Sequence, residues 1–181
     1  MRKVVVSEFV SLDGVMEKPE RLMPFFGEEQ KRYKLEELLN ADTLLLGRVT
    51  YESFAAVWPT QTDEQGFARR MNCLPKYVVS GTLQTASWHN TAIIGKNVVA
   101  EVQRLKAQRG EDILVYGSGQ LVQALLRHHL VDEYRLMTFP MMLGGGKRFF
   151  PEDGLPATLK LVDTTLFSTG TILLVYHPVW S

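Results

Sequence analysis

The turn Gly117-Ser118-Gly119 is the first feature of this sequence that could do chemistry. It follows an apolar, β-branched run at 112–116 that predicts a buried strand, and it precedes an apolar pattern with helical spacing. Glycine lets the backbone approach a ligand closely, and the N-terminus of the next helix offers unpaired N–H groups to a phosphate. The turn lacks the third glycine of G-x-G-x-x-G, so it does not indicate a standard Rossmann domain. Taken alone, it fits a strand-to-helix turn without a ligand equally well.

Two other strand ends repeat this arrangement. Gly47 follows a second buried strand pattern, and Arg48 comes next at a predicted helix start, where a cation and free N–H groups would suit a pyrophosphate. Ser80, followed by Gly81, brings a hydroxyl to the end of a third strand, where it could meet a ribose or its 2′-phosphate. Ligands of open α/β sheets bind beyond the carboxyl ends of the strands, so the three turns together predict one elongated ligand that carries phosphate groups. The alternative for Arg48 is an ordinary surface charge in solvent.

The elements that must position these turns alternate between strands and helices, which favours an α/β sheet with helices packed on it. The predicted strands are 3–10, 43–46, 76–80, 92–94, 112–116, 133–139, 158–167 and 171–177. The predicted helices are 28–39, one that begins around Thr50 and ends before Trp58, one from an N-cap at Asn97 to 108, and one that follows Gly119. The last two strands are predicted to form a hairpin, so the sheet is mixed, and we expect one domain over residues 1–181.

The composition is typical of a globular protein, with 45% hydrophobic and 22% charged residues. Twenty basic residues balance twenty acidic ones, so we expect neither nucleic acid nor a membrane as a partner. Cys73 is the single cysteine, which excludes an internal disulfide and a multi-cysteine zinc site. The adjacent His128 and His129 make a poor metal pair, and no metal is predicted. The sequence shows no signal-peptide or membrane-span pattern, so we expect a cytoplasmic protein.

Three blocks resemble, in order and spacing, the cofactor-binding blocks of dihydrofolate reductases: 44–53, 77–80 and 113–119. Two other motifs are more similar to a related group, the reductase domain at the C-terminus of bifunctional riboflavin-biosynthesis deaminase/reductases and its stand-alone relatives. These motifs are the Ser-x-Asp-Gly turn at 11–14 and the Pro-x-x-x-Gly-Gly loop at 140–146. The resemblance spans nearly the whole chain. It implies a dihydrofolate-reductase-like fold with three α/β/α layers around a mixed, mostly parallel sheet that ends in an antiparallel hairpin.

The resemblance also implies NADPH as the hydride donor. The residues expected to bind the cofactor are Gly47, Arg48, Val49, Thr50, Ser80, Gly81, Gly117, Ser118, Gly119, Gln120 and Leu121. In the riboflavin enzymes the reduced group is a ribose that has opened to its aldehyde or imine form, and the substrate carries a phosphate. The residues expected to bind such a substrate are Asp13, Glu29, Thr138, Gly145 and Lys147.

Hydride transfer to C=O or C=N leaves negative charge on oxygen or nitrogen, so the reaction needs a proton donor. We expect Asp13 and Thr138 to be the catalytic polar contacts, with a bound water as another proton source, although Asp13 could serve only to form its turn. For Lys147 the alternative to a substrate phosphate is solvent. Glu29 is one of the acids nearest to the position where dihydrofolate reductases hold the pterin ring, and it could equally be an ordinary helix-start charge.

We therefore expect an NADPH-dependent reductase of a pyrimidine- or pteridine-like metabolite, similar to the 5-amino-6-(5-phosphoribosylamino)uracil reductase of riboflavin biosynthesis. The alternatives are a dihydrofolate reductase and a nucleotide-binding protein without catalysis. The sequence has neither the His-x-Glu nor the Pro-Cys-x-x-Cys motif of the zinc deaminases, so we expect no deamination by that mechanism. A homodimer is expected because related reductase domains commonly dimerise.

Overall fold

The computed structural model describes residues 1–180, and its eight strands form one sheet. The strands are β1 (Val4–Ser11), β2 (Ala41–Gly47), β3 (Lys76–Val79), β4 (Thr91–Ile94), β5 (Asp112–Tyr116), β6 (Glu133–Phe139), β7 (Thr158–Leu166) and β8 (Ile172–Val179). The α-helices are α1 (Glu28–Leu39), α2 (Arg48–Val57), α3 (Phe67–Cys73), α4 (Val98–Ala107) and α5 (Gly119–Arg127), and short 3-10 helices cover Pro19–Phe25 and Trp58–Thr60. Among the described residues, no helix is long and apolar enough to span a membrane.

The strands lie in the order β4-β3-β2-β5-β1-β6-β8-β7. The strands from β4 to β6 run parallel, whereas β8 pairs antiparallel with β6, and β7 pairs antiparallel with β8. The first strand of the chain therefore lies in the interior of the sheet, with Val4 opposite Ile113 of β5 and Val5 opposite Glu133 of β6. The predicted mixed sheet, mostly parallel with an antiparallel C-terminal hairpin, is confirmed.

Two apolar cores lie on opposite faces of this sheet, because successive side chains of a strand point to alternate faces. Val4 and Val6 of β1 belong to the core that includes Val122 of α5 and residues of α4. Val5 belongs to the other core, with Leu38 of α1 and residues of α2 and α3. The loops after β1 and β2 thus lead to one face, while the loop after β5, which lies between them, leads to the other. Loops that diverge in this way open a crevice at the carboxyl ends of the strands.

Most predicted elements are confirmed with shifts of one or two residues at their ends, and one prediction about a helix start was wrong. Helix α2 begins at Arg48 and not around Thr50, so Gly47 is its N-cap. Asn97 is the N-cap of α4, as predicted, but its backbone is left-handed with a φ of 53°, and its side chain does not cap the helix. The spacing of apolar residues predicts where a helix lies. The backbone conformation of its N-cap depends on the direction from which the preceding loop approaches the helix.

Helix α3 was not predicted at all. Asp63, which precedes the helix in the chain, stabilises its N-terminus. The Asp63 carboxylate accepts hydrogen bonds from the backbone N–H groups of Phe67 at 2.9 Å and Ala68 at 2.5 Å. These bonds satisfy donors that a helix start leaves unpaired, and they lower the pKa of Asp63. A short helix of this kind depends on such a cap and on burial of Met71, and it lacks a long apolar pattern.

A buried polar cluster attaches α1 to the centre of the sheet. The Lys34 ammonium donates a hydrogen bond to the Ser7 hydroxyl at 2.7 Å, forms an ion pair with Glu37, and lies 4.2 Å from the ring centroid of Tyr116. The Tyr116 hydroxyl donates to the Glu37 carboxylate at 3.1 Å, and the Arg135 guanidinium lies 3.7 Å from the other Glu37 oxygen. Burial lowers the pKa of Lys34, and the Glu37 carboxylate opposes that shift. The cluster thus joins α1 to β1, β5 and β6.

Replacing Glu37 with alanine should lower the free energy of unfolding by about 3–5 kcal/mol, because Glu37→Ala leaves the Lys34 ammonium buried without its carboxylate. Urea denaturation followed by circular dichroism measures the change. The matched control is Glu101→Ala, which breaks another i,i+3 ion pair, with Arg104. The Glu101 side chain is 39% exposed whereas that of Glu37 is 0% exposed, so the control should cost less than about 1 kcal/mol. Equal losses in the two variants would contradict a special role for the buried pair.

Candidate active site

The two glycine turns predicted to bind a cofactor are joined by direct hydrogen bonds. The Ser118 hydroxyl accepts a hydrogen bond from the Gly47 N–H at 2.8 Å, and the Ser118 N–H donates to the Thr50 hydroxyl at 3.1 Å. The Ser118 hydroxyl also donates to the Tyr116 carbonyl at 2.9 Å. Residues that are far apart in sequence, at the starts of α2 and α5, therefore form one structural unit.

The backbone at Gly117 and Ser118 is left-handed, with φ values of 55° and 63°. A Cβ atom on Gly117 would lie 2.9 Å from the Thr50 hydroxyl oxygen, so this position requires glycine for its space as well as its conformation. Ser118 is not a glycine, and a left-handed serine carries an energetic cost that surrounding contacts must offset. The hydrogen bonds to Gly47 and Thr50 are those contacts.

The same geometry leaves the N-termini of α2 and α5 without side-chain caps. Gly47, the N-cap of α2, has no side chain, and Ser118, the N-cap of α5, uses its hydroxyl on Gly47 and Tyr116. The first N–H groups of each helix therefore stay available, and the helix dipoles make both ends electropositive. Two such ends side by side are a suitable place for a diphosphate.

The third predicted turn lies next to these two. Gly47 is opposite Val79 in the β2–β3 register, so Ser80 is the neighbour of the start of α2. The Ser80 hydroxyl accepts hydrogen bonds from the N–H groups of Thr82 at 3.2 Å and Leu83 at 2.9 Å, and it closes the turn. Apart from Gly81 itself and the residues on either side of it, no atom of the described residues lies within 4 Å of where a Cβ on Gly81 would be, so the turn is open on that side. Binding of a ribose or 2′-phosphate there stays a prediction.

Arg48 is exposed in the first turn of α2. One of its guanidinium nitrogens contacts both carboxylate oxygens of Glu52, at 3.1 and 2.8 Å. The remaining N–H groups of the guanidinium are free to turn toward a ligand, and an exposed pair of this type contributes little to stability. The position suits both the predicted phosphate contact and an ordinary surface ion pair, so the predicted role of Arg48 stays a prediction.

Asp13 holds the late glycine loop against the turn after β1. Its carboxylate accepts hydrogen bonds from the Leu143 N–H at 3.0 Å, from the Gly144 N–H at 2.8 Å and from the Ser11 hydroxyl. These three donors lower the pKa of Asp13 to about 2, the Ser11 hydroxyl most of all. Asp13 is therefore a carboxylate at neutral pH, and in this arrangement it has no proton to donate. Gly145 has no neighbour within 4 Å of a built Cβ among the described residues, so the loop is open beside it.

The late loop also reaches the cofactor turn. A Cβ built on Gly119 would lie 3.0 Å from the Met16 sulfur and 3.8 Å from Cε of Lys147. The structure thus brings Lys147, predicted to bind substrate, beside Gly119, predicted to bind cofactor. The neighbouring Arg148 is used differently, because its guanidinium donates to the Asp13 carbonyl.

Thr138 and Glu29, the other two predicted substrate residues, lie on different faces of the sheet. Thr138 is opposite Val10 in the β1–β6 register, half-buried, and on the α5 face. Glu29 is on α1, on the other face, where its carboxylate accepts hydrogen bonds from the N–H of Ser168 at 2.8 Å and from its hydroxyl. These bonds tie α1 to the β7–β8 turn and lower the pKa of Glu29. The substrate-binding and catalytic assignments of both residues stay predictions.

Sequence reasoning missed one residue at this edge of the sheet, Glu8 of β1. It is 8% exposed, and its carboxyl group points to the α5 face with Val6 and Val10. The available signal was an acid at a position where the alternation of the strand calls for an apolar residue.

Comparison with known proteins identifies the family of this chain. The family model described as the RibD C-terminal domain matches residues 2–173. The uncharacterized protein YyaP of Bacillus subtilis strain 168 is 31% identical over 179 residues, which are 97% of this chain and 95% of YyaP.

Solved structures show the same fold at lower identity. A protein from Shewanella sp. PV-4, provisionally assigned to riboflavin biosynthesis, superimposes with a TM-score of 0.74 at 21% identity, over 98% of this chain and 99% of that one. A pyrimidine reductase-like protein of Corynebacterium diphtheriae has a TM-score of 0.71 at 13% identity, over 99% and 93%. The Thermotoga maritima diaminohydroxyphosphoribosylaminopyrimidine deaminase/5-amino-6-(5-phosphoribosylamino)uracil reductase has a TM-score of 0.69 at 15% identity, and 98% of this chain covers 57% of that one. The chain therefore belongs to the RibD C-terminal domain family and has the dihydrofolate-reductase-like fold that its sequence predicts.

Proposed function

We propose that this protein is an NADPH-dependent reductase that acts on a pyrimidine- or pteridine-like metabolite, in the manner of 5-amino-6-(5-phosphoribosylamino)uracil reductases. The observation that carries the proposal is the junction at Ser118, which leaves two uncapped helix N-termini beside each other at the crevice of the sheet. Membership of a family with reductase-like structural neighbours supports the same reaction class.

NADPH fits the groups that line this crevice. The free N–H groups at Arg48–Thr50 and Gly119–Leu121 would bind its pyrophosphate, and the Ser80–Gly81 turn beside Arg48 would receive its adenosine 2′-phosphate. When bound, NADPH supplies the hydride, and the protein orients the reacting groups and excludes water. Gly117 is required here because a side chain would strike Thr50 and push the two turns apart.

A substrate that carries a phosphate fits the late loop. Lys147 presents an ammonium group on an exposed loop, and its stem lies next to Gly119. The Asp13 carboxylate fixes Leu143 and Gly144, so this loop keeps its position while Gly145 faces open space. Asp13 therefore positions the loop, and the proton for the reduced oxygen or nitrogen comes from another group.

Dihydrofolate reductase is the weaker candidate, because three acids of α1, the two in its first turn and the buried one, have other partners. Glu28 forms an ion pair with Lys31, Glu29 binds the β7–β8 turn, and Glu37 is buried against Lys34. An acid that holds a pterin ring must present a free carboxylate edge to it.

The first prediction concerns Arg48 and NADPH. Arg48→Ala should raise the Kd for NADPH roughly tenfold, since it removes a charge-assisted hydrogen bond to a phosphate. Titration of intrinsic tryptophan fluorescence measures the affinity. The matched control is Glu52→Gln, which removes the same ion pair but keeps the guanidinium, and its affinity should equal or exceed that of the wild type. An unchanged Kd in Arg48→Ala would show that Arg48 is not a phosphate ligand.

A second prediction separates the candidate functions. The purified protein should oxidise NADPH with 5-amino-6-(5-phosphoribosylamino)uracil or a related ribosylaminopyrimidine, and it should do so faster than with dihydrofolate. Loss of NADPH absorbance is the measurement. Dihydrofolate turnover inhibited by antifolates would instead make the protein a dihydrofolate reductase. NADPH binding without turnover of any such compound would favour a non-catalytic nucleotide-binding protein.

A further inference from the structure

Strand β5 ends before its neighbour β1 does. Within residues 1–180, their pairing ends at Ser7 opposite Tyr116, whereas β1 stays paired with β6 as far as Ser11 opposite Phe139. Glu8 is the first residue of β1 beyond the β5 pairing. From Glu8 onward, one edge of β1 therefore has no strand paired with it, and the cofactor turn begins at Gly117, directly after the last paired residue of β5.

Glu8 has an incompletely satisfied carboxyl group at this edge. One oxygen, Oε1, accepts a hydrogen bond from the Phe9 N–H at 3.1 Å, and the Gly117 N–H lies near enough to the carboxyl group to oppose the rise of its pKa. The other oxygen, Oε2, is buried and has no hydrogen-bond partner in the part of the chain that the structure describes. Buried polar groups in proteins are almost always paired, so an unpaired one beside a ligand crevice points to a partner on the ligand.

Burial of Glu8 favours its protonated form. Burial raises the pKa of Glu8 to about 8, against the opposing effects of the Phe9 N–H, the Lys34 ammonium across the sheet and the Gly117 N–H. On its own face, β6 presents Leu136 and Thr138, β5 has no charged residue after Asp112, and α5 has none before Arg127. Two charges lie beyond these elements: Lys147 of the late loop, and Glu17 of the segment after β1, which contacts Lys147. At neutral pH the free oxygen of Glu8 therefore carries a proton that has no acceptor.

We propose that protonated Glu8 donates a hydrogen bond to the carboxamide oxygen of the NADPH nicotinamide, and that NADPH binds preferentially to this protonated form. The inference rests on the proposed function, which supplies the cofactor. The nicotinamide ring is flat and apolar except for its carboxamide, so it would pack on apolar side chains such as Val10 and Met16 and would need one hydrogen-bond donor for the carboxamide. A bound pyrophosphate at the adjacent helix N-termini places negative charge near Glu8 and so disfavours its carboxylate.

The sign of the pH dependence follows from this preference. Because the bound complex favours the protonated carboxyl group, the pKa of Glu8 rises on binding and protons are taken up when the pH is near the free value of about 8. The affinity for NADPH should be constant below that pH and should fall above it, by up to roughly tenfold per pH unit. The 2′-phosphate of NADPH does not interfere, since a phosphate monoester has its second pKa near about 6.

The experiment is isothermal titration of the wild type and three variants with NADPH between about pH 7 and 9.5, with NADH as a second ligand. Repetition in two buffers of different ionisation enthalpy counts the protons taken up. Glu8→Gln keeps a hydrogen-bond donor, so it should bind as the wild type does at pH 7 but without proton uptake or loss of affinity at high pH. Glu8→Ala should bind roughly three- to tenfold more weakly at pH 7. Glu101→Gln, an exposed acid of α4, should keep the wild-type profile.

The outcomes separate the two proposals. Wild-type pH dependence and proton uptake in Glu8→Gln, or undiminished affinity in Glu8→Ala at pH 7, would overturn the role of Glu8 while the reductase proposal stands. Absence of NADPH binding by the wild type at every pH would overturn the proposed function, and this inference with it. Circular dichroism of each variant confirms that the comparison is made between folded proteins.

Discussion

The hydrogen bonds of Ser118 decide the shape of the crevice. Helices α2 and α5 pack on opposite faces of the sheet, and their N-terminal turns meet only where β2 and β5 end side by side. The Ser118 hydroxyl and N–H connect those turns through Gly47 and Thr50. Because the hydroxyl is used in this way, it cannot cap α5. One side chain thus fixes the two helix ends together and keeps their N–H groups free.

Two buried glutamates of this protein lie in opposite surroundings. Glu37 lies among cations and a phenol, with Lys34, Arg135 and Tyr116 within reach of its oxygens. Glu8 lies on the other face among valines, and burial dominates its protonation. Glu37 supports the packing of α1 on the sheet. Glu8 leaves one hydrogen-bonding group without a partner at the edge of the crevice.

Much of the fold could be predicted from the sequence, because runs of apolar residues that end at a glycine mark several of the strands. The blocks around Gly47 and Gly117 also resemble a known family. The sheet order and the point at which the β1–β5 pairing ends could not be predicted, since they depend on pairing between distant segments. Asp13 was singled out as a polar site residue, but a sequence does not show that both of its oxygens are occupied by Ser11 and the late loop. Glu8 was missed because a single acid in a strand pattern reads as a solvent-facing position. The homodimer stays a prediction.

The place of β1 in the sheet has a consequence for how the chain acquires its structure. Its neighbours on both sides, β5 and β6, are on the order of a hundred residues away in sequence, which is typical of slow folding. Of the eight strands, β1 leaves the ribosome first, and its valines find no native strand partner until Asp112–Tyr116 has emerged. Its second edge stays open until Glu133–Phe139 follows. During synthesis an apolar strand is therefore exposed to other nascent chains, first along two edges and then along one.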